Sequence, residues 1–171
     1  ARDGNPYLGP DGRDWSDNGI RFGLLARVAA LLSSGDSPLT WRPQVLHCND
    51  WQTGLAPAYL HYLHAGRAAA SVITVHNLSF TGLFAYPLLA DLGLPSHAFR
   101  FDAVEFHGRL SFLKAGLQFA DRITTVSPTY ADEILRPEFG CGLEGLLQHR
   151  RDRLGGILNG IDTAVWDPAS D

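Results

Sequence analysis

The sequence predicts an α/β fold, one parallel sheet flanked by helices, on two observations. Four short apolar runs each stop on polar residues: Val45-Leu46-His47-Cys48-Asn49-Asp50, Ser71-Val72-Ile73-Thr74-Val75-His76-Asn77, Ile123-Thr124-Thr125-Val126-Ser127 and Ile157-Leu158-Asn159-Gly160. Segments with apolar residues at helical spacing separate most of them, which is the pattern of a parallel sheet. Ligands of such sheets bind beyond the carboxyl ends of the strands. That rule sets Asp50, His76, Asn77, Ser127 and Asn159 along one rim.

The elements follow in order. The first 15 or so residues hold five Gly or Pro and read as a loop. Residues 21–32 repeat apolar side chains at helical spacing, with Ser16 or Asp17 able to cap them and Ser33-Ser34-Gly35 ending them. After the first strand, residues 52–64 read as a second helix. A loop rich in glycine, proline and aromatics covers residues 78–97. Residues 105–120 form the longest predicted helix, with a stripe that includes Leu110, Phe112, Leu113, Leu117 and Phe119. Ser127-Pro128 opens a helix through Leu135, with proline in the first turn. Residues 144–151 make a last short helix.

At 171 residues the chain can bury a full core, and no repeat or internal domain boundary is visible. Its 45% hydrophobic and 19% charged residues are ordinary for a globular protein. A formal net charge of −4 gives no attraction to phosphate backbones or anionic membrane surfaces. No apolar run approaches the roughly 18 residues of a membrane span. Neither nucleic acid nor membrane is therefore an expected partner. The polar amino end has no signal-peptide pattern. Cys48 and Cys141 stand at no metal-type or redox-type spacing, and Cys48 reads as a buried free thiol, so a reducing cytoplasm is expected. The chain has no methionine and ends in a loop-like stretch. It reads as an interior piece of a longer protein, with residues 1–171 a single partial domain.

Several patterns admit a functional and a structural account. Gly140-Cys141-Gly142-Leu143-Glu144-Gly145 matches G-x-G-x-x-G, but Arg136-Pro137-Glu138-Phe139 before it is no strand, so a hinged loop opening a helix is the better reading. His61 and His64 share helical spacing without an obvious third ligand, which favours surface or interface histidines over a metal pair. Ser127 lacks the G-x-S-x-G elbow of a hydrolase, and Pro128 removes the N–H that an oxyanion would need; capping is preferred. Asp50 reads equally as an N-cap for the following helix or as a functional carboxylate. His76-Asn77 at a strand end can hydrogen-bond a sugar hydroxyl. Asn159-Gly160 can be a turn.

Taken together, the motifs resemble one family. His47-Cys48-Asn49-Asp50-Trp51-Gln52-Thr53-Gly54-Leu55 is similar to the H-x-x-D-W-x-x-G-L stretch of bacterial glycogen synthases and plant starch synthases. Val75-His76-Asn77-Leu78, Ser111-Phe112-Leu113-Lys114-Ala115-Gly116-Leu117 and Thr125-Val126-Ser127-Pro128-Thr129-Tyr130-Ala131 continue the resemblance in order. Gly142-Leu143-Glu144-Gly145-Leu146-Leu147 and Leu158-Asn159-Gly160-Ile161-Asp162 complete it.

The resemblance implies a Rossmann-like parallel sheet with flanking helices, part of the amino-terminal, acceptor-side domain of a two-domain GT-B-type glycosyltransferase. It implies glucose transfer from ADP-glucose to the non-reducing end of an α-1,4-glucan, with retention and without metal or cofactor. By motif position, Asp50 and His76 are the expected catalytic residues, with His76 on the donor glucose. Asn159 is expected on the glucosyl hydroxyls, Tyr7 on the acceptor side and Asn77 beside them. Front-face attack, with the leaving phosphate as base, is the expected route; Asp50 as a covalent nucleophile is its rival. The family's lysine–glycine loop and its carboxyl-terminal nucleotide domain are absent here, and Lys114 is the only lysine. The isolated chain is thus expected to be inert, and the missing domain is an expected partner. A glucan-binding or scaffold module without transfer is the alternative.

Overall fold

The computed structural model describes residues 5–64, 69–163, 165–167 and 169. Along the chain run α1 (Asn18–Leu32), β1 (Val45–Asn49), α2 (Asp50–Thr53), α3 (Leu55–Leu63) and β2 (Ala70–Val75). Then come β3 (Leu83–Phe84), α4 (Leu88–Asp91), β4 (Glu105–Phe106), β5 (Arg109–Ser111) and α5 (Phe112–Phe119). β6 (Arg122–Thr125), α6 (Pro128–Glu133), α7 (Glu144–His149) and β7 (Leu154–Gly156) close the series.

β1, β2, β6 and β7 form the predicted parallel sheet in the order β1-β2-β6-β7. The register aligns Cys48 with Ile73, Ile73 with Ile123 and Ile123 with Leu154, so apolar side chains share one face. Helix α5 packs over that face, with Gly116 against Ile73, and α3 packs on α5, so that Tyr59, Ile73, Leu117 and Ile123 are buried. The opposite face carries a polar row: His47 Nε2 lies 2.7 Å from Thr74 Oγ1, itself 2.7 Å from Thr124 Oγ1.

The helix expected over residues 52–64 is two helices. Pro57 has no N–H for the carbonyl of Thr53, so a continuous helix would lose that bond. Restarting at Leu55 puts Pro57 in the first turn, where no donor is needed. Gly54 sits at the joint with its Cα against the backbone of Phe112, which brings α2 and α5 together.

The helix expected over residues 105–120 is a hairpin followed by α5. His107 (φ 51°) and Gly108 (φ 75°) form the two-residue turn between β4 and β5, both in the left-handed region that such tight hairpins use. β5 also pairs with β3, which makes a small antiparallel sheet that the sequence reading lacks. Ser111 then caps α5 by accepting from the Lys114 N–H. Lys114 is buried under this lobe, its Nζ donating to the carbonyls of Phe101 and Glu105 at 2.6 Å each.

The fourth strand lies three residues earlier than expected, at Leu154–Gly156 rather than at Ile157-Leu158. Gly156 fits because its Cα abuts the Ser127–Pro128 backbone, which no side chain would permit. Only the Ile157 N–H, donating to the Thr125 carbonyl at 2.9 Å, extends the ladder. Beside Gly156, Ser127 caps α6 as expected, accepting from the Tyr130 N–H, with Pro128 in the first turn.

Candidate active site

The chain leaves β1 through Asp50, whose φ of 51° is a strained value for a residue with a Cβ. That turn starts α2 at once, with Asn49 rather than Asp50 at the N-cap. The carboxylate therefore does not cap its own helix. It reaches the end of the adjacent strand, where Oδ1 accepts from the His76 N–H at 2.7 Å and Oδ2 lies 3.0 Å from His76 Nδ1. With the carboxylate as acceptor, the Nδ1 proton faces Asp50 and Nε2 is the ring nitrogen that can accept. Thr53 secures the elbow from behind: its Oγ1 accepts from the Asn49 N–H at 2.6 Å and donates to the Asn49 carbonyl at 2.9 Å.

The loop after His76 is fixed at successive residues. Asn77 Oδ1 accepts from the Ser79 N–H at 3.0 Å, and Tyr130 Oη accepts from the Leu78 N–H at 2.9 Å. Further on, Ser111 Oγ donates to the Thr81 carbonyl at 2.9 Å. Burial raises the Tyr130 phenol above its ordinary value, so Tyr130 stays neutral.

Facing this loop, residues 7–18 complete a cavity of about 550 Å³ at the carboxyl edge of the sheet. Its polar lining includes Asp50, Asn77, Asn18 and Gln52, and its aromatic lining Tyr7, Trp15, Trp51 and Phe80. The Tyr7 ring stacks on Phe22 at 5.8 Å, and Gln52 Nε2 donates to its hydroxyl at 3.2 Å. Asn18, at the start of α1, donates to the Tyr7 carbonyl and ties the loop to the helix. Two carboxylates, Asp14 and Asp50, line the cavity, and no Lys or Arg does so among the described residues. Such a space suits a neutral, hydroxyl-bearing ring better than a polyanion.

The structure thus brings together Tyr7, Asp50 and Asn77, with His76 joined to them through Asp50. Asn159 stands apart, exposed beyond β7 and two strands from β2. Sequence reading passed over Trp15 and Phe80, which lie in loops and carry no periodic signal, and read Gln52 only as the first residue of a helix. The set-aside patterns have structural roles. His61 stacks on Phe119 at 4.6 Å, and His64 Nδ1 lies 2.8 Å from Asp36. Cys141 and Gly142 take positive φ in a loop after α6, and a Cβ at Gly145 would meet open space, so the glycine triplet is not a phosphate cradle. Among the described residues no group of three His, Cys, Asp or Glu could hold a metal ion, and no helix is long and apolar enough to cross a membrane.

A parallel sheet with flanking helices and a cavity at its carboxyl edge defines a Rossmann-like α/β domain, here a partial domain of the GT-B type. The chain belongs to the starch synthase catalytic domain family, whose profile matches residues 1–149. It is 63% identical over 170 residues to a glycogen synthase of Dechloromonas aromatica, covering 99% of this chain and 34% of that protein. A glycogen synthase of Rhodopseudomonas palustris is 61% identical over 172 residues, covering 100% of this chain and 35% of the relative. The chain therefore spans about a third of the length of the curated relatives it matches. Among solved structures, the catalytic domain of starch synthase IV from Arabidopsis thaliana, bound to ADP and acarbose, superposes with a TM-score of 0.77. It shares 35% identity, over 92% of this chain and 33% of that one.

Proposed function

We propose that the protein to which this chain belongs is a retaining glucosyltransferase of glycogen synthesis. It moves glucose from ADP-glucose to the non-reducing end of an α-1,4-glucan in the cytoplasm. The observation that carries this reading is the Asp50–His76 pair beside a cavity lined by Tyr7 and Asn77. The named glycogen synthases, and a structural relative bound to ADP and acarbose, support it.

In this reading His76 Nε2 hydrogen-bonds a hydroxyl of the donor glucose near the breaking bond, and Asp50 holds the imidazole in place. Asn159 contacts the glucosyl hydroxyls, while Tyr7 serves the acceptor side, with Asn77 beside them. Both Asp50 oxygens already bond to His76, which disfavours a covalent glucosyl–aspartate and favours front-face attack with the leaving phosphate as base. No metal or cofactor takes part.

Residues 1–171 form one partial, acceptor-side domain. Among the described residues the cavity offers no cation, and the one lysine is held by two carbonyls, so the diphosphate is clamped by a second, carboxyl-terminal domain. The chain alone is inert. The same cation-free cavity favours the second reading, a glucan-binding module without transfer.

The test is ADP-glucose-dependent elongation of maltoheptaose. The longer protein is expected to elongate it, and His76→Ala to lose activity on the order of a hundredfold or more. No elongation by the longer protein overturns the transferase reading. Elongation by the 171-residue chain overturns its inertness. Strong maltoheptaose binding by the chain alone would favour the module.

A further inference from the structure

The cavity's most exposed aromatic ring belongs to neither the Asp50–His76 pair nor the buried aromatic cluster. Phe80 is 62% exposed, against 38% for Tyr7, while Trp15, Trp51 and Phe84 are only partly exposed. Trp51 packs on Phe22 at 4.8 Å, and Phe84 on Phe112 at 4.6 Å. Phe80 lies outside that cluster.

Its backbone is held on both sides. Before it, the Asp50, Tyr130 and Asn77 side chains fix His76, Leu78 and Ser79 in turn. The Phe80 N–H donates to the Asn77 carbonyl at 3.4 Å. After it, Ser111 and the backbone of α5 hold Thr81, and Gly82 takes a φ of 60° against the Trp51 ring. A firm loop thus presents a bare apolar plane to solvent, four residues after His76. An exposed ring costs free energy unless a partner covers it, and a rigid platform binds without an ordering penalty.

We propose that Phe80 is a stacking platform for a pyranose ring of the acceptor glucan and sets how tightly that chain is held. A pyranose has one face of axial and ring C–H groups and a rim of hydroxyls. The phenyl plane covers the face, while Asn77 and Gln52 of the same cavity are placed for the rim. The assignment rests on the glucan-synthase reading and adds to it the residue that recognises the acceptor as a ring.

The test compares Phe80→Ala, Phe80→Leu and Phe80→Trp in the longer protein. Phe80→Ala is expected to raise the acceptor KM for maltoheptaose roughly tenfold, with kcat and the ADP-glucose KM within about twofold. Phe80→Trp restores the acceptor KM, whereas Phe80→Leu, which keeps apolar bulk without a plane, does not. Full activity of Phe80→Leu, or an unchanged acceptor KM in Phe80→Ala, overturns the platform. Maltoheptaose binding followed by tryptophan fluorescence keeps the two readings separable. If the wild-type protein transfers no glucose but binds maltoheptaose through Phe80, the transferase reading fails and the platform stands. If it binds no maltoheptaose, the platform fails too.

Discussion

Asp50 holds His76 by two atoms at once, one oxygen on its backbone N–H at 2.7 Å and the other 3.0 Å from Nδ1. A carboxylate in this position fixes both the ring's orientation and the nitrogen that carries the proton. Asp50→Asn keeps the shape and inverts the second property. The amide oxygen still accepts from the backbone, but an amide N–H then faces Nδ1 and pushes the proton to Nε2. Nitrogen chemical shifts of the His76 ring are expected to report the inverted tautomer in the 171-residue chain. Transfer by the longer protein is expected to fall on the order of a hundredfold, largely in kcat. An unchanged tautomer counts against the role given to Asp50.

Alkali is expected to weaken the fold through buried acids. Burial pushes the Cys48 thiol up from 9.0 to about 12, and the Tyr59 phenol from 10.0 to about 12. Both groups hold their proton more tightly folded than unfolded. Their stabilisation is therefore complete below the unfolded values and is lost as pH climbs from about 9 toward 12. At about pH 10.5 Cys48 alone accounts for a loss of about 2 kcal/mol. Urea midpoints at about pH 8 and about pH 10.5 measure it. In Cys48→Ala the drop between the two should shrink; an equal drop refutes the assignment.

Two glycines should respond in opposite directions to alanine. At Gly54 a Cβ would run into the Phe112 carbonyl, and Gly116 opposite lies against the Gly54 backbone, so neither side can retreat. Gly54→Ala should cost about 3 kcal/mol. At Gly145, in α7, a Cβ meets nothing within 4 Å, and alanine should add about 0.5 to 1 kcal/mol. Thermal or urea unfolding of both variants checks the pair.

Tyr130 couples α6 to the loop that carries His76. Tyr130→Phe removes the acceptor for the buried Leu78 N–H, at a cost of about 1 kcal/mol. Hydrogen exchange at the Leu78 amide should accelerate by roughly tenfold, with the α3 amides little affected. Equal acceleration throughout would mean that Tyr130 supports the whole fold rather than this loop.

Three of the four strands were legible because their apolar runs sit next to one another in the sheet and end together. The fourth was misplaced because its residues, Leu154-Gly155-Gly156, include two glycines without side chains, while the exposed Ile157-Leu158 beyond them looks more strand-like. The β4–β5 hairpin was hidden by Leu110, which falls on the helical stripe of α5 although it belongs to a strand. Positive φ at His107, a residue with a side chain, gives no clear signal in the letters. At the site, Asp50 and His76 were legible as strand ends. Their bond was not, because it depends on β1 and β2 pairing with Asn49 beside Thr74. Trp15 and Phe80 reach the cavity from loops, where position follows from tertiary contacts rather than from period.

The seat of Lys114 has a chemical consequence. Reagents that acylate side-chain amines have one address in this sequence, and it lies beneath a phenyl ring with its protons on two carbonyls. The rate at which such a reagent marks Lys114, read from the mass of its peptide, is then a clock for one event, the lifting of the Phe101–Glu105 segment away from α5. In an amine-reactive dye, the peptide that carries Lys114 would stay unlabelled until that segment opens.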